Sequence, residues 1–253
     1  MPICIAGMHR SGTSMVTRLL NLCGVYLGPE SDLAVAASFD NEAGFWENRQ
    51  FVRVNEEALA RLGGGWDLPP AMTEGWEMGD EMADLREEAA ELIRQFSPYE
   101  PWGWKDPRNT LMLHFWKRLI PDLKILVCLR SPVEVAESLN QRANSSYAFG
   151  MNLCLKYYQQ LLATTRPAER VVTHYNAYFF NPQAELRRVL GLLEIPVTSE
   201  AIEHACSTIS MSLRHNWATT RERIEEKMTP DVMDYYIRLC GEAKAMAPAP
   251  APQ

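Results

Sequence analysis

The segment Gly7-Met8-His9-Arg10-Ser11-Gly12-Thr13-Ser14 gathers what an anion site needs: glycines that let the backbone turn tightly, hydroxyls, and a cation inside the loop. It follows an apolar run at residues 3–6 (ICIA) and precedes a helical pattern over residues 13–22. Backbone N–H groups and the positive end of a helix would therefore converge on one ligand. The glycine spacing is that of a phosphate-binding P-loop. A nucleoside-triphosphate loop, however, reads G-x-x-x-x-G-K-[ST], with the lysine on the outer phosphates and the hydroxyl on magnesium. Here Thr13 stands in the lysine position and Arg10 lies within the loop. The loop predicts anion binding with a ligand other than a magnesium triphosphate. The plain alternative is a Gly/Ser turn that only links strand to helix.

Such a loop must be carried by a sheet. Residues 102–105 (WGWK), 124–129 (KILVCL) and 170–174 (RVVTH) read as further strands, the second a buried central one by its nearly unbroken apolarity. Helical spacing runs over 48–62, 80–96, 133–142 (opened by Pro132 after Ser131), 147–166 and 182–193. The alternation predicts an α/β fold in three layers, a central mostly parallel sheet flanked by helices, with ligands beyond the carboxyl ends of its strands.

The chain has 253 residues, 47% hydrophobic and 23% charged, and a formal charge of −7. That sign argues against a partner that is nucleic acid or an anionic membrane surface, so an anion site must be local. No run reaches the roughly 18 apolar residues of a membrane span, and the first apolar run is cut short by Gly7, His9 and Arg10. Neither a signal peptide nor membrane insertion is expected. Cys4, Cys23, Cys128, Cys154, Cys206 and Cys240 form no close pair, and most sit among apolar neighbours. They read as small hydrophobes in a reducing compartment, placing the protein in the cytoplasm; long-range disulfides in a secreted protein are the alternative. His114, His174, His204 and His215 have no ligand spacing, and no metal site is expected.

Residues 10–14 (RSGTS) resemble the 5′-phosphosulfate loop, R/K-S-G-T-[ST], of the sulfotransferases that use 3′-phosphoadenosine 5′-phosphosulfate (PAPS). The family's second element is a strand ending in Arg, with a Ser eight residues later that helps hold the 3′-phosphate. Arg130 and Ser138 match it, and Arg142 lies four residues beyond Ser138, on the same helix face. Residues 102–108 (WGWKDPR) resemble the K-D-P segment of bacterial and tyrosylprotein-type members, which implies that Lys105 approaches the transferring group; by themselves Asp106 and Pro107 read as a turn that ends the strand, with Asp106 and Arg108 supporting the loop. Residues 41–48 (NEAGFWEN) are similar to an N-x-x-G-[FY]-[FW]-E segment of bacterial members beginning GMHRSGTS, and make Glu47 the first candidate for general base. Glu30, 20 residues beyond Arg10, is the rival, near where tyrosylprotein and some mycobacterial sulfotransferases carry their glutamate. Either carboxylate could instead complement the dipole of a following helix. Residues 172–176 with 182–196 resemble the family's late strand, turn and helix, so that Tyr175 lines the nucleotide. The likeness spans roughly residues 3–196.

The resemblance implies a P-loop-like sulfotransferase fold and transfer of a sulfuryl group from PAPS to the hydroxyl of a glycan, lipid or small metabolite. The displacement would be in line, with a carboxylate as base. Arg10, Ser11, Gly12, Thr13, Ser14, Arg130, Ser138, Arg142 and Tyr175 would hold the donor. Arg10, Lys105 and Glu47, or Glu30 in its place, would carry the chemistry. The transferring group bears a single charge, so a bridging metal is not demanded, and Asp106 is the carboxylate that leaves magnesium open as an alternative. A single domain over residues 1–246 is expected, with acceptor-site lid segments at about 30–100 and 197–230 and an extended Ala/Pro tail at 247–253. Two other readings remain: a P-loop kinase for a small molecule or nucleotide, against which the missing Gly-Lys speaks, and a silent PAPS-binding module, against which the joint presence of Arg10, Glu47 and Lys105 speaks. Oligomeric state is not legible.

Overall fold

The computed structural model describes residues 1–34, 44–210 and 228–244. Residues 41–43 of the acidic-aromatic segment, His215, much of the expected 197–230 lid and the Ala/Pro tail lie outside them. The four predicted strands form one all-parallel sheet: β1 (Pro2–Gly7), β2 (Trp102–Lys105), β3 (Lys124–Leu129) and β4 (Arg170–His174), in the order β2-β1-β3-β4. In register, Ile5 lies beside Lys105, Gly7 beside Cys128, and Leu129 beside His174. The chain leaves β1 for β2 on one side and reaches β3 on the other. The ends of β1 and β3 thus flank the crevice where a ligand binds in such sheets.

Strand side chains alternate between two apolar layers, as a period of two requires. Ile3, Ile5, Leu126 and Cys128 pack under α1 (Thr13–Leu22), α8 (Pro182–Leu192) and α9 (Ser199–Ser207). Cys4, Ile125, Val127 and Leu129 face the other layer. That layer is built from α2 (Arg49–Arg61), α3 (Ala83–Phe96), α4 (Asn109–Leu119), α5 (Pro132–Ala143), α6 (Tyr147–Thr164) and α10 (Pro230–Glu242). The short α7 (Ala177–Phe180) follows β4. Within the expected 30–100 lid, α2 and α3 are core elements: Phe51 stacks on Trp104 at 4.7 Å and meets Phe96 edge-on at 5.1 Å. The predicted helix over 80–96 begins as a 3-10 turn at Asp80–Met82 before α3. All six cysteines are buried and free. Among the described residues no helix is long and apolar enough to cross a membrane.

Candidate functional site

The loop between β1 and α1 owes its course to two glycines. A Cβ on Gly7, at φ 143°, would lie 2.5 Å from the Cys128 carbonyl oxygen and 2.9 Å from Ser11 Oγ. A Cβ on Gly12, at φ 87°, would lie 2.2 Å from the Tyr175 ring. Only hydrogen fits at either place, so the loop folds against β3 and against the turn after β4. Inside it, Ser11 Oγ donates to the Met8 carbonyl at 2.6 Å. On the far side, Thr110 of α4 both accepts from Gly7 N at 2.9 Å and donates to Gly7 O at 3.1 Å. The first intrahelical bond of α1 runs from Val16 N to the Gly12 carbonyl at 3.2 Å, so the amides that open the helix lie ahead of its own ladder.

Arg10 has φ 68°, a conformation that costs a non-glycine residue about 1–2 kcal/mol. Two bonds hold it there. Arg130, at the end of β3, donates from Nη1 to the Arg10 carbonyl at 3.1 Å, and Arg10 Nε donates to Ser138 Oγ at 2.9 Å. Arg130 is itself fixed by Glu134, one helical turn on, through a 2.7 Å bond from Nε to Oε2. Its guanidinium lies over the Tyr175 ring, 4.6 Å from the centroid. The turn after β4 is therefore wedged between Arg130 and Gly12.

A second group lies at the end of β2. Lys105 is 2% exposed and donates to Glu47 Oε1 at 2.7 Å and to the Phe45 carbonyl at 2.9 Å. Both acceptors reach one ammonium around Trp46, whose φ of 58° sets it in a bulge where Phe45 N and Trp46 N both donate to the Ala34 carbonyl, at 2.8 and 3.0 Å. The base of Lys105 is held by a buried polar network. Asp106 accepts from Asn55 Nδ2 and from Arg108 N and Nη1, each at 2.9 Å. Trp104 and Trp116 donate their indole N–H groups to Asn109 and Asn55 at 3.0 and 2.8 Å. Asp106 and Arg108 are thus supports of the loop. Burial, and then the charges of Arg108, Lys105, Arg142 and Arg10, hold the His9 imidazole well below its ordinary 6.5, so it is neutral.

A sulfotransferase family model matches residues 2–199. The chain belongs to the sulfotransferase family. Its fold is similar to that of sulfotransferase STF9 from Mycobacterium avium, at 13% identity over 97% of this chain and 77% of that one, with a TM-score of 0.64. The sulfotransferase domain of the Synechococcus PCC 7002 olefin synthase gives 15% identity, 98% and 95% coverage, and a TM-score of 0.55. The sulfotransferase domain of the curacin biosynthetic pathway gives 16%, 98% and 99%, and 0.54. No curated protein matches the sequence significantly.

In this sulfotransferase the sequence-predicted residues fall into three places. Arg10, Ser11, Gly12, Thr13, Ser14, Arg130, Ser138 and Tyr175 come together around the ends of β1, β3 and β4. Lys105 and Glu47 meet at the end of β2. Arg142 joins the Lys105 side, its guanidinium over the Phe45 ring at 5.8 Å, and Glu30 stands apart, exposed on a 3-10 turn, Glu30–Asp32. Sequence reasoning missed Glu134, Thr110 and the Phe45 carbonyl. Only Glu134 had a readable signal, its i+4 spacing from Arg130. A cavity of about 360 Å³ lies elsewhere, between Pro69, Met72, Leu111 and Gln160, and none of the loop residues lines it.

Proposed function

We propose that this enzyme moves a sulfuryl group from PAPS to an acceptor hydroxyl of a small molecule, glycan or lipid in the cytoplasm, where six free thiols remain reduced. The observation that carries the reading is the bond from Arg130 to the Arg10 carbonyl. It joins the strand-end arginine and the loop after β1 into one cationic cradle at the crevice between β1 and β3. The donor set fits a polyanionic nucleotide: two guanidinium groups, an ammonium, and helix-opening amides over a glycine with no room for a side chain. When bound, PAPS supplies a sulfuryl group on a phosphate leaving group.

The chain's own residues then divide the work. Arg130 and Ser138 hold the 3′-phosphate, Tyr175 offers its ring to the nucleotide, and residues 10–14 hold the phosphosulfate end. Arg142, at the rim beside Phe45, adds positive charge to the same crevice. Lys105 uses two of its three N–H groups on Phe45 and Glu47, which leaves one to meet charge that develops on the equatorial oxygens. Glu47 is 20% exposed beside that ammonium and takes the acceptor's proton. Glu30 is the rival base.

Two measurements test this. Saturating adenosine 3′,5′-bisphosphate, near 100 times its Kd, adds ~2.7 kcal/mol and raises Tm by roughly 5–10 °C at this size, whereas ADP with magnesium leaves it unchanged. A rise with ADP and magnesium alone would replace the reading with a kinase. In turn, Glu47→Gln keeps bisphosphate binding and loses turnover of PAPS; full activity in Glu47→Gln with loss in Glu30→Gln would move the base to Glu30.

A further inference from the structure

Between Met8 and Arg10 the loop carries a histidine that neither the anion cradle nor the Glu47–Lys105 pair uses. The His9 ring is tilted against Trp66, with centroids 4.4 Å apart, and edge-on to Tyr157 at 6.1 Å. Tyr157 donates its hydroxyl to the Trp66 carbonyl at 3.0 Å, so loop, roof and wall form one packed unit. Within it, Nε2 of His9 is shielded from solvent and has no hydrogen-bond partner among the described residues. A buried nitrogen left unpaired destabilises the fold, and phenylalanine would fill the same space without that cost. The ring is neutral among four cationic side chains, so it offers one N–H and one lone pair and suits a neutral polar group. Lys105 and Arg142 are among those four, and Arg142 lies over Phe45. In the sheet Ile5 lies beside Lys105, so the loop that carries His9 leaves β1 next to Lys105, and the rings of Phe45 and Trp66 are half-buried.

We propose that His9 binds the acceptor, its Nε2–H donating to the oxygen of the hydroxyl that is to be sulfated, with Trp66 as the roof over that group. The proposal rests on the sulfotransferase reading and adds a residue to it. The hydroxyl's own proton stays directed to Glu47, and its second lone pair stays free for the sulfur. Two aromatic rings beside the hydroxyl favour a flat acceptor, so phenols are the probes.

The test compares the wild type with His9→Phe, which keeps the ring and its packing, and His9→Gln, which keeps an N–H donor and loses the ring. Phenol and 4-nitrophenol are titrated onto protein saturated with adenosine 3′,5′-bisphosphate, by calorimetry and by the imidazole 15N signals. In the wild type the His9 Nε2 signal moves with the phenols. His9→Phe weakens phenol binding about tenfold, the worth of one net hydrogen bond of ordinary strength. His9→Gln stays within about threefold of the wild type, and all three proteins bind the bisphosphate alike. Without ligand, His9→Phe melts roughly 2–4 °C higher, since the orphan nitrogen is gone. A purely structural role gives the reverse order, with Phe rescuing and Gln failing, and overturns the proposal. So does a His9 signal that no phenol moves in bisphosphate-bound protein. Failure of the wild type to bind the bisphosphate at all overturns the sulfotransferase reading, and this proposal with it.

Discussion

Replacing Gly12 with alanine probes the contact on which the anion cradle depends. The new Cβ would sit 2.2, 2.9 and 3.1 Å from Cδ2, Cε2 and Cγ of Tyr175, at a φ of 87°. The left-handed backbone alone costs an alanine about 1–2 kcal/mol. The Tyr175 ring must also give way, and it is 7% exposed, with Arg130 4.6 Å above it and Phe179 edge-on at 4.9 Å. Forcing it off its rotamer and off the guanidinium adds about 1–2 kcal/mol. The sum, ~2–4 kcal/mol, lowers Tm by roughly 5–15 °C. A double-mutant cycle in urea separates the two parts. In a Tyr175→Ala background the clash has no partner, and Gly12→Ala costs only the ~1–2 kcal/mol of its backbone. Equal costs in the two backgrounds would show that Tyr175 does not set the loop, and that the tight approach of loop and ring is no part of the cradle's stability.

Glu134→Gln leaves the buried Arg130 charge without its anionic partner, at a cost of about 3–5 kcal/mol, because Glu134 is 0% and Arg130 7% exposed. Adenosine 3′,5′-bisphosphate restores negative charge beside that arginine, so its Tm increment is larger in the variant than in the wild type; equal increments would place the ligand away from Arg130. Glu169 is held at about 2, below its ordinary 4.5, by the Arg166 backbone N–H and then by Lys117. Its contribution to stability is full above pH 4.5 and is lost as the pH falls through about 2. Glu169→Gln therefore flattens this part of the acid limb in urea melts, and parallel limbs would exclude the assignment. Burial pushes the Cys128 thiol up to about 12 and the Cys23 and Cys240 thiols to about 11. At neutral pH a thiol reagent reaches the six cysteines only as fast as the fold opens, and all six at once in denaturant; rapid native labelling of Cys128 would contradict the packing beside Gly7.

The strands were legible because parallel strands covered on both faces are short apolar runs, and the predicted bounds of β2, β3 and β4 match those observed. Helices with one polar face were equally readable. The helix α4 was not: it starts four residues after β2 ends, and its buried Leu111, Met112, Leu113, Phe115 and Trp116 form a short apolar run that periodicity alone does not separate from a strand. The helices α9 and α10 do have apolar faces, but they lie beyond residue 196, where the family likeness used to organise the chain ends.

The cradle was legible to the extent that it is local. Residues 10–14 follow one another, and Arg130 and Ser138 share a strand end and the next helix. What no spacing could show is how these pieces address each other. Ser138 turns its hydroxyl to Arg10, 128 positions away, and Arg130 spends Nη1 on a carbonyl 120 positions away. Each of these bonds exists because β1 and β3 are neighbours in the sheet, with Gly7 beside Cys128, so the crossover that makes the crevice also makes the contacts across it. Arg142 reaches the Lys105 side instead. It shares a helix and a spacing with Ser138, and its guanidinium lies over Phe45 where Ser138 meets Arg10, so one face of α5 spans both groups. The difference between the two residues lies in the sheet, which fixes what each turn of α5 overlooks. Sequence spacing predicts neighbours on one element reliably, and predicts ligands only where the opposing element is also known.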